Sequence, residues 1–128
     1  MRKSSYHFLR VGLAITFLWI GILILRDPLA WGSYIQPWAL KFLPASLEQA
    51  MRGTAVLDIA VGLGLLFDFF PWVVALIGSV HLIIILITSG VTDITIRDVG
   101  LLTGTIALLI ESSPSWLRGR FARGPSEV

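Results

Sequence analysis

The sequence predicts an all-α membrane protein that crosses the bilayer as a bundle of four transmembrane helices. Hydrophobic residues make up 55% of the 128 residues and charged residues only 14%, whereas a soluble domain carries about a quarter charged residues. A soluble chain of this size could not cover so much apolar surface with so few polar side chains. The chain also contains four apolar runs of about 18 to 21 residues each, which is the length a helix needs to span a bilayer. A single membrane domain therefore accounts for residues 1–128.

The first predicted span covers residues 8–25 and is just long enough to cross a hydrocarbon core about 30 Å thick. Arg10 lies near its start, and we expect its side chain to extend to the lipid headgroups. Asp27-Pro28 ends the span, because the residue before a proline is disfavoured in the helical conformation. The basic start resembles a signal peptide, but no small-residue cleavage site follows, so we expect the span to be retained.

The segment 26–46, which we call the interfacial segment, is the longest connection between the predicted spans. It is rich in proline and in aromatic side chains, namely Trp31, Tyr34, Trp38 and Phe42. Amphipathic aromatic residues favour the boundary between membrane and water. We therefore expect short interfacial helices that form a lid over one end of the bundle; the alternative is a plain linker.

Capping and turn signals define the three remaining spans. Ser46-Leu47-Glu48-Gln49 is typical of a capping box at a helix start, and Pro71 suits the first turn of a helix. Ser112-Ser113-Pro114 ends the last apolar run. The resulting spans are 47–67, 71–88 and 94–111, followed by a basic C-terminal tail over 112–128.

Charge placement predicts the orientation in the membrane. Four spans put both ends of the chain on one side, and these ends carry more basic residues than the connections opposite them. The positive-inside rule therefore favours a multi-pass plasma (inner) membrane protein with both termini in the cytoplasm. The basic residues compared are Arg2, Lys3, Arg10, Arg118, Arg120 and Arg123 at the ends, against Arg26, Lys41, Arg52 and Arg97 in the connections.

Composition also excludes several classes of partner and cofactor. The net charge of +2 is too small to indicate nucleic-acid binding. The absence of cysteine excludes thiolate zinc sites and cysteine-ligated iron–sulfur clusters. With a single histidine inside the predicted spans, we expect no metal or haem site and no intrinsic cofactor.

Five ionisable residues lie at similar depths within the predicted spans. An ionisable group inside a membrane is costly and is by default a candidate for function. With a rise of about 1.5 Å per residue, all five fall in the outer half of the bilayer. Small or polar neighbours flank three of them on the same helix face, which predicts one inward-facing pocket beneath the interfacial segment. The five are Asp58, His81, Arg97 and Asp98, with Arg52 at the rim. The alternative is an ion-pair network that only locks the helices together.

Small residues predict where the helices pack closely. Lipid supplies no hydrophobic drive between membrane helices, so glycines that let backbones approach become important. Gly62 in the second span and the Gly100-x-x-x-Gly104 pair in the fourth are the candidates for close contacts, either within the bundle or between protomers.

The order of these features resembles the DoxX-like (DoxD-like) family of small four-helix membrane proteins. The resemblance covers about residues 8–111 and rests on three motifs: Arg10-Val11-Gly12-Leu13, Gly53-x4-Asp58-x3-Gly62-Leu63-Gly64 and Arg97-Asp98-Val99-Gly100-Leu101-Leu102. The family often has Glu where this chain has Asp58. The resemblance implies a membrane partner of redox enzymes, such as those linked to quinol oxidation and to thiosulfate:quinone oxidoreductase. It also implies a quinone head group held near Asp58, His81 and Arg97.

These observations leave three functional hypotheses. The first is a non-catalytic, redox-associated subunit that binds a quinone or similar lipid-soluble ligand and works with an oxidoreductase partner or as a homo-oligomer. The second is a small proton-coupled transporter or channel in which Asp58 is the coupled carboxylate. The third is a structural or assembly subunit of a membrane complex, with Gly100 and Gly104 on a helix that faces a partner.

Overall fold

A computed structural model describes residues 1–116, which are folded into helices without β-strands. Residues 117–128, with Arg118, Arg120 and Arg123 of the predicted basic tail, lie outside the described residues. The helices are α1 (Lys3–Arg26), α2 (Pro28–Gly32), α3 (Pro37–Leu40), α4 (Leu47–Leu66), α5 (Pro71–Ser89) and α6 (Ile96–Ser112).

The four long helices coincide with the predicted spans apart from their boundaries. α1 begins at Lys3 rather than at residue 8, because nothing in the polar stretch before the apolar run breaks a helix. α6 begins at Ile96 rather than at residue 94. The hydroxyl of Thr95 accepts a hydrogen bond from the backbone N–H of Thr92 and donates one to the carbonyl of Gly90, which holds the preceding residues in a turn.

Three helices within residues 1–116 are long and apolar enough to cross a membrane: α1, α4 and α5. Their outward faces carry large exposed hydrophobic side chains, and together these features indicate a membrane protein that contacts the lipid bilayer. α6 has 17 residues, so it is shorter than the other three, and its first turn contains Asp98.

The predicted capping signals act as the sequence indicates. The Ser46 hydroxyl accepts a hydrogen bond from the backbone N–H of Gln49 at 3.2 Å, which satisfies one donor at the start of α4. Pro71 stands in the first turn of α5 and Pro28 in the first turn of α2. The Asp27 side chain caps α2 by accepting from the N–H of Ala30.

Glycines allow α1 and α4 to pack closely. A Cβ atom added at Gly62 would lie 3.0 Å from the Ala14 carbonyl oxygen, and one added at Gly21 would lie 2.9 Å from the Ala55 carbonyl oxygen. The packing predicted for Gly62 is therefore present, and Gly21 supplies the matching contact from α1.

The two glycines of α6 differ from each other. A Cβ at Gly104 would lie 3.1 Å from the Leu13 side chain of α1. A Cβ at Gly100 would have no neighbour within 4 Å, because this residue lies on an exposed face of α6 where no other described helix packs. Gly100 therefore contacts no other helix of the described chain, and its contact between protomers stays a prediction.

Candidate functional site

A cavity of about 210 Å³ lies between the four long helices at the end of the bundle that contains α2 and α3. We call this the cavity end, and the opposite end, where α1 begins and α6 ends, the termini end. The cavity walls are mostly apolar, with Phe17 and Ile24 from α1 and Leu82 from α5, and Trp31 of the interfacial segment also lines the cavity. Polar side chains from three helices line the same cavity; we call them the cavity cluster, and they are Asp58, His81, Arg97 and Asp98.

Asp58 and His81 form the most buried pair of the cavity cluster. Asp58 of α4 is only 2% exposed and His81 of α5 is 9% exposed. The His81 Nε2 atom lies 3.1 Å from Asp58 Oδ1, but the angles do not make a hydrogen bond, and this buried nitrogen has no hydrogen-bond partner within residues 1–116. The small residues Ala55 and Gly62 lie on the buried face of α4 with Asp58, which is why that face turns inward.

Asp98 and Arg97 contribute the second half of the cavity cluster from the start of α6. Asp98 is 5% exposed, and its Oδ1 atom lies 3.6 Å from Arg97 Nε, so the two charges attract without a direct hydrogen bond. The Arg97 guanidinium also lies 5.0 Å from the centre of the Trp31 ring, a cation–π contact that joins α6 to α2. Asp98 and Arg97 line the same cavity as Asp58 and His81, so the four side chains surround one space.

Arg52 is the one predicted site residue that does not line the cavity. Its side chain is 61% exposed and makes an ion pair with Glu48 one turn earlier in α4, at 2.8 Å. Its depth along α4 is similar to that of the cavity cluster, but six residues of helix turn its side chain about 120° away from Asp58. The assignment of Arg52 to the pocket is therefore wrong.

Hydrogen bonds attach the interfacial segment to the long helices and enclose the cavity. The backbone N–H of Gln36 donates to the carbonyl of Thr88 near the end of α5 at 2.9 Å. Leu47 of α4 packs against the position of Gly32 in α2. The aromatic composition indicated that the segment belongs near the bundle, but no sequence signal identified these attachment points.

A second polar cluster at the termini end was not predicted. Arg10 is only 9% exposed, and its guanidinium donates hydrogen bonds to the carbonyl oxygens of Leu65 and, at 2.8 Å, Leu66. The Tyr6 hydroxyl donates to Asp68 at 3.0 Å, and Arg10 Nε lies 3.7 Å from the same carboxylate. The expectation that Arg10 extends to the lipid headgroups is wrong, because the last carbonyls of α4 lack partners within their own helix and accept from the guanidinium.

Within residues 1–116, no group of three or more His, Cys, Asp or Glu side chains is placed to hold a metal ion. No protein-family model, curated protein or solved structure matches this chain. Its functional interpretation therefore depends on the cavity and on the residues that line it.

Proposed function

We propose that this protein binds a lipid-soluble ligand with a head group about the size of one ring, such as a quinone, in the cavity at the cavity end. The observation that carries the proposal is an apolar cavity of about 210 Å³ with four ionisable side chains on its wall. A cavity of about 150 Å³ is enough to take up one benzene molecule. Apolar walls with a few converging polar groups are the usual character of a small-molecule site.

Following the resemblance to the DoxX-like family, we further propose that the chain is a non-catalytic partner of a membrane oxidoreductase. Tyr34, Thr88 and the cavity cluster supply polar groups for binding, but none of these side chains is an electron-transfer cofactor. The redox chemistry would then belong to the partner enzyme, and this chain would hold or deliver the ligand.

The ligand proposal is tested by purifying the protein gently and identifying co-purified lipids by mass spectrometry. Thr54 lines the cavity, whereas Gly53 beside it on α4 faces open space. We expect Thr54→Phe to lose the bound molecule and the matched control Gly53→Phe to keep it. Equal retention of the same lipid by both variants would contradict the cavity as its site.

We also propose that α6 is a fourth transmembrane helix, so that the chain is a four-span protein of the inner membrane with both termini in the cytoplasm. The Met1 amino group lies 2.8 Å from the Glu111 carboxylate, which is consistent with the start of α1 and the end of α6 sharing one side. Because the chain contains no cysteine, single cysteines introduced as Ser4→Cys, Asp93→Cys and Ser115→Cys can be labelled with a membrane-impermeant maleimide. We expect positions 4 and 115 to be labelled only from the cytoplasm and position 93 only from outside. Labelling of positions 4 and 115 from opposite sides would instead indicate three spans.

A proton-coupled transporter is the second candidate function. The observation that favours it is the buried Asp58–His81 pair, which places a carboxylate and an imidazole 3.1 Å apart on neighbouring helices, and these are the side-chain types used in proton relays within membranes. Uptake of a ligand into proteoliposomes that depends on a pH gradient and is lost in Asp58→Asn would favour transport over simple binding.

A further inference from the structure

The Asp58 carboxylate has no permanently charged cation beside it in the described part of the chain. The two arginines predicted for the pocket are engaged elsewhere, since Arg97 pairs with Asp98 and lies over Trp31, and Arg52 pairs with Glu48. The neighbour of Asp58 is the imidazole of His81, whose charge depends on a proton. Asp58 is thus a buried carboxylate for which the described residues provide no permanent positive charge.

The Asp58 carboxylate is the hydrogen-bond acceptor of this pair that remains for a ligand. His81 Nε2 lies 3.1 Å from Asp58 Oδ1 but makes no hydrogen bond with it. An ionised carboxylate accepts hydrogen bonds and has none to donate. A ligand that enters the cavity next to Asp58 therefore meets an acceptor, which favours a hydrogen-bond donor.

The charge of the cavity cluster points the same way. Two carboxylates and one guanidinium leave a net charge of −1 when His81 is neutral, and an uncompensated charge in an apolar environment is unfavourable. A bare metal ion does not suit the site, since the described residues offer no set of three metal-ligating side chains. The apolar walls instead suit an organic body that carries the positive charge.

We propose that the cavity binds an organic monocation, an amine with an apolar body about the size of one ring, whose ammonium group donates to the Asp58 carboxylate. This inference rests on the proposed function, because it requires the cavity to hold a ligand. It narrows that ligand from any lipid-soluble ring compound, quinones included, to one that carries a positive charge.

The proposal is tested with 2-phenylethylamine and its neutral counterpart 2-phenylethanol, which differ in an ammonium group against a hydroxyl. Binding is measured by equilibrium dialysis against the full chain in nanodiscs, with empty nanodiscs as the blank. An alkylamine is protonated near pH 8, as lysine is. We expect the amine to bind at least about tenfold more tightly than the alcohol at this pH.

Three variants assign that preference to Asp58. Asp58→Asn removes the charge and is expected to abolish the preference for the amine. Asp58→Glu keeps the charge and is expected to retain it, which separates a loss of charge from a loss of fold. Glu48→Gln, a matched loss of one carboxylate on the exposed part of α4, is expected to change nothing.

Each contrary result has one meaning. Equal binding of amine and alcohol, with both lost in Thr54→Phe, would overturn the monocation proposal and leave the cavity as a ligand site. An amine preference that survives in Asp58→Asn would overturn it as well. Failure of both probes to bind, with no lipid lost from Thr54→Phe, would overturn this inference and the proposed function together.

Discussion

The two ends of the bundle both contain polar clusters with buried members, but they differ in how completely those buried members are paired. At the termini end, the Arg10 guanidinium donates to two carbonyl oxygens at the end of α4, and Tyr6 and Arg10 share the Asp68 carboxylate. At the cavity end, Asp58 faces a histidine whose Nε2 has no hydrogen-bond partner among the described residues.

The difference favours a structural role for the termini end and agrees with the binding role proposed for the cavity end. A buried polar group that is fully hydrogen-bonded within the protein has little to offer a ligand and stabilises the fold. A buried polar group left without a partner is destabilising and needs another explanation, such as a bound molecule. We therefore expect the termini end to stabilise the packing of α1 against α4 and the cavity end to contribute less to stability.

The largest effect on stability is expected from Arg10→Met at the termini end. The substitution keeps an apolar chain of similar length but removes charge-assisted hydrogen bonds to the carbonyls of Leu65 and Leu66. We expect the free energy of unfolding in mixed micelles to fall by about 3 kcal/mol. Arg26→Met, at the exposed end of the same helix, is the control and should change it little. Equal stability of Arg10→Met and the unmodified chain would show that the termini end does not stabilise the packing of α1 against α4.

Gly21→Ala tests the close packing of α1 against α4 between the two ends of the bundle. The added Cβ would approach the Ala55 carbonyl oxygen to 2.9 Å, and a backbone atom cannot move aside easily. We expect a loss of about 1 to 3 kcal/mol in the free energy of unfolding. Gly53→Ala is the matched control on α4, because its Cβ would meet nothing within 4 Å; it should be neutral or stabilising by up to about 1 kcal/mol. Equal effects of the two variants would contradict the close approach at Gly21.

Asp58→Asn at the cavity end is expected to act on stability in the opposite direction from Arg10→Met. The amide removes a buried charge that has no permanent cation beside it. The free energy of unfolding at neutral pH should stay the same or rise by about 1 kcal/mol, since surroundings that are costly for a charge tolerate an amide better. A clear loss of stability in the same micelle assay would show that Asp58 stabilises the fold, as Arg10 is expected to do.

The smallest effect is expected from Arg52→Gln. The Arg52–Glu48 ion pair is exposed and one helical turn apart, and such pairs contribute about 0.5 kcal/mol or less. Neither stability nor ligand binding should change beyond this amount. A defect in ligand binding would show that Arg52 belongs to the ligand site after all, despite its position on the exposed face of α4.

The helix starts marked by capping residues or prolines, and the inward faces, were the most predictable features. Ser46, Pro71 and Pro28 act locally, so their capping and turn roles could be assigned from neighbouring residues alone. The inward direction of Asp58 and Asp98 could also be predicted, because small or polar residues one turn away mark the same face of each helix. Arg10 and Arg52 could not be distinguished in this way, since each is an arginine near the start of an apolar helix.

By itself the sequence determined the order and approximate extent of the long helices and the set of ionisable residues placed within them. These properties follow from hydropathy and from local backbone preferences, which act over a few residues. Only the tertiary structure decided that Arg10 is enclosed while Arg52 is exposed, and which of the predicted pocket residues line the cavity. These outcomes depend on how each helix is rotated against its neighbours, and that rotation is set by contacts between residues far apart in the chain, such as Gly62 with Ala14.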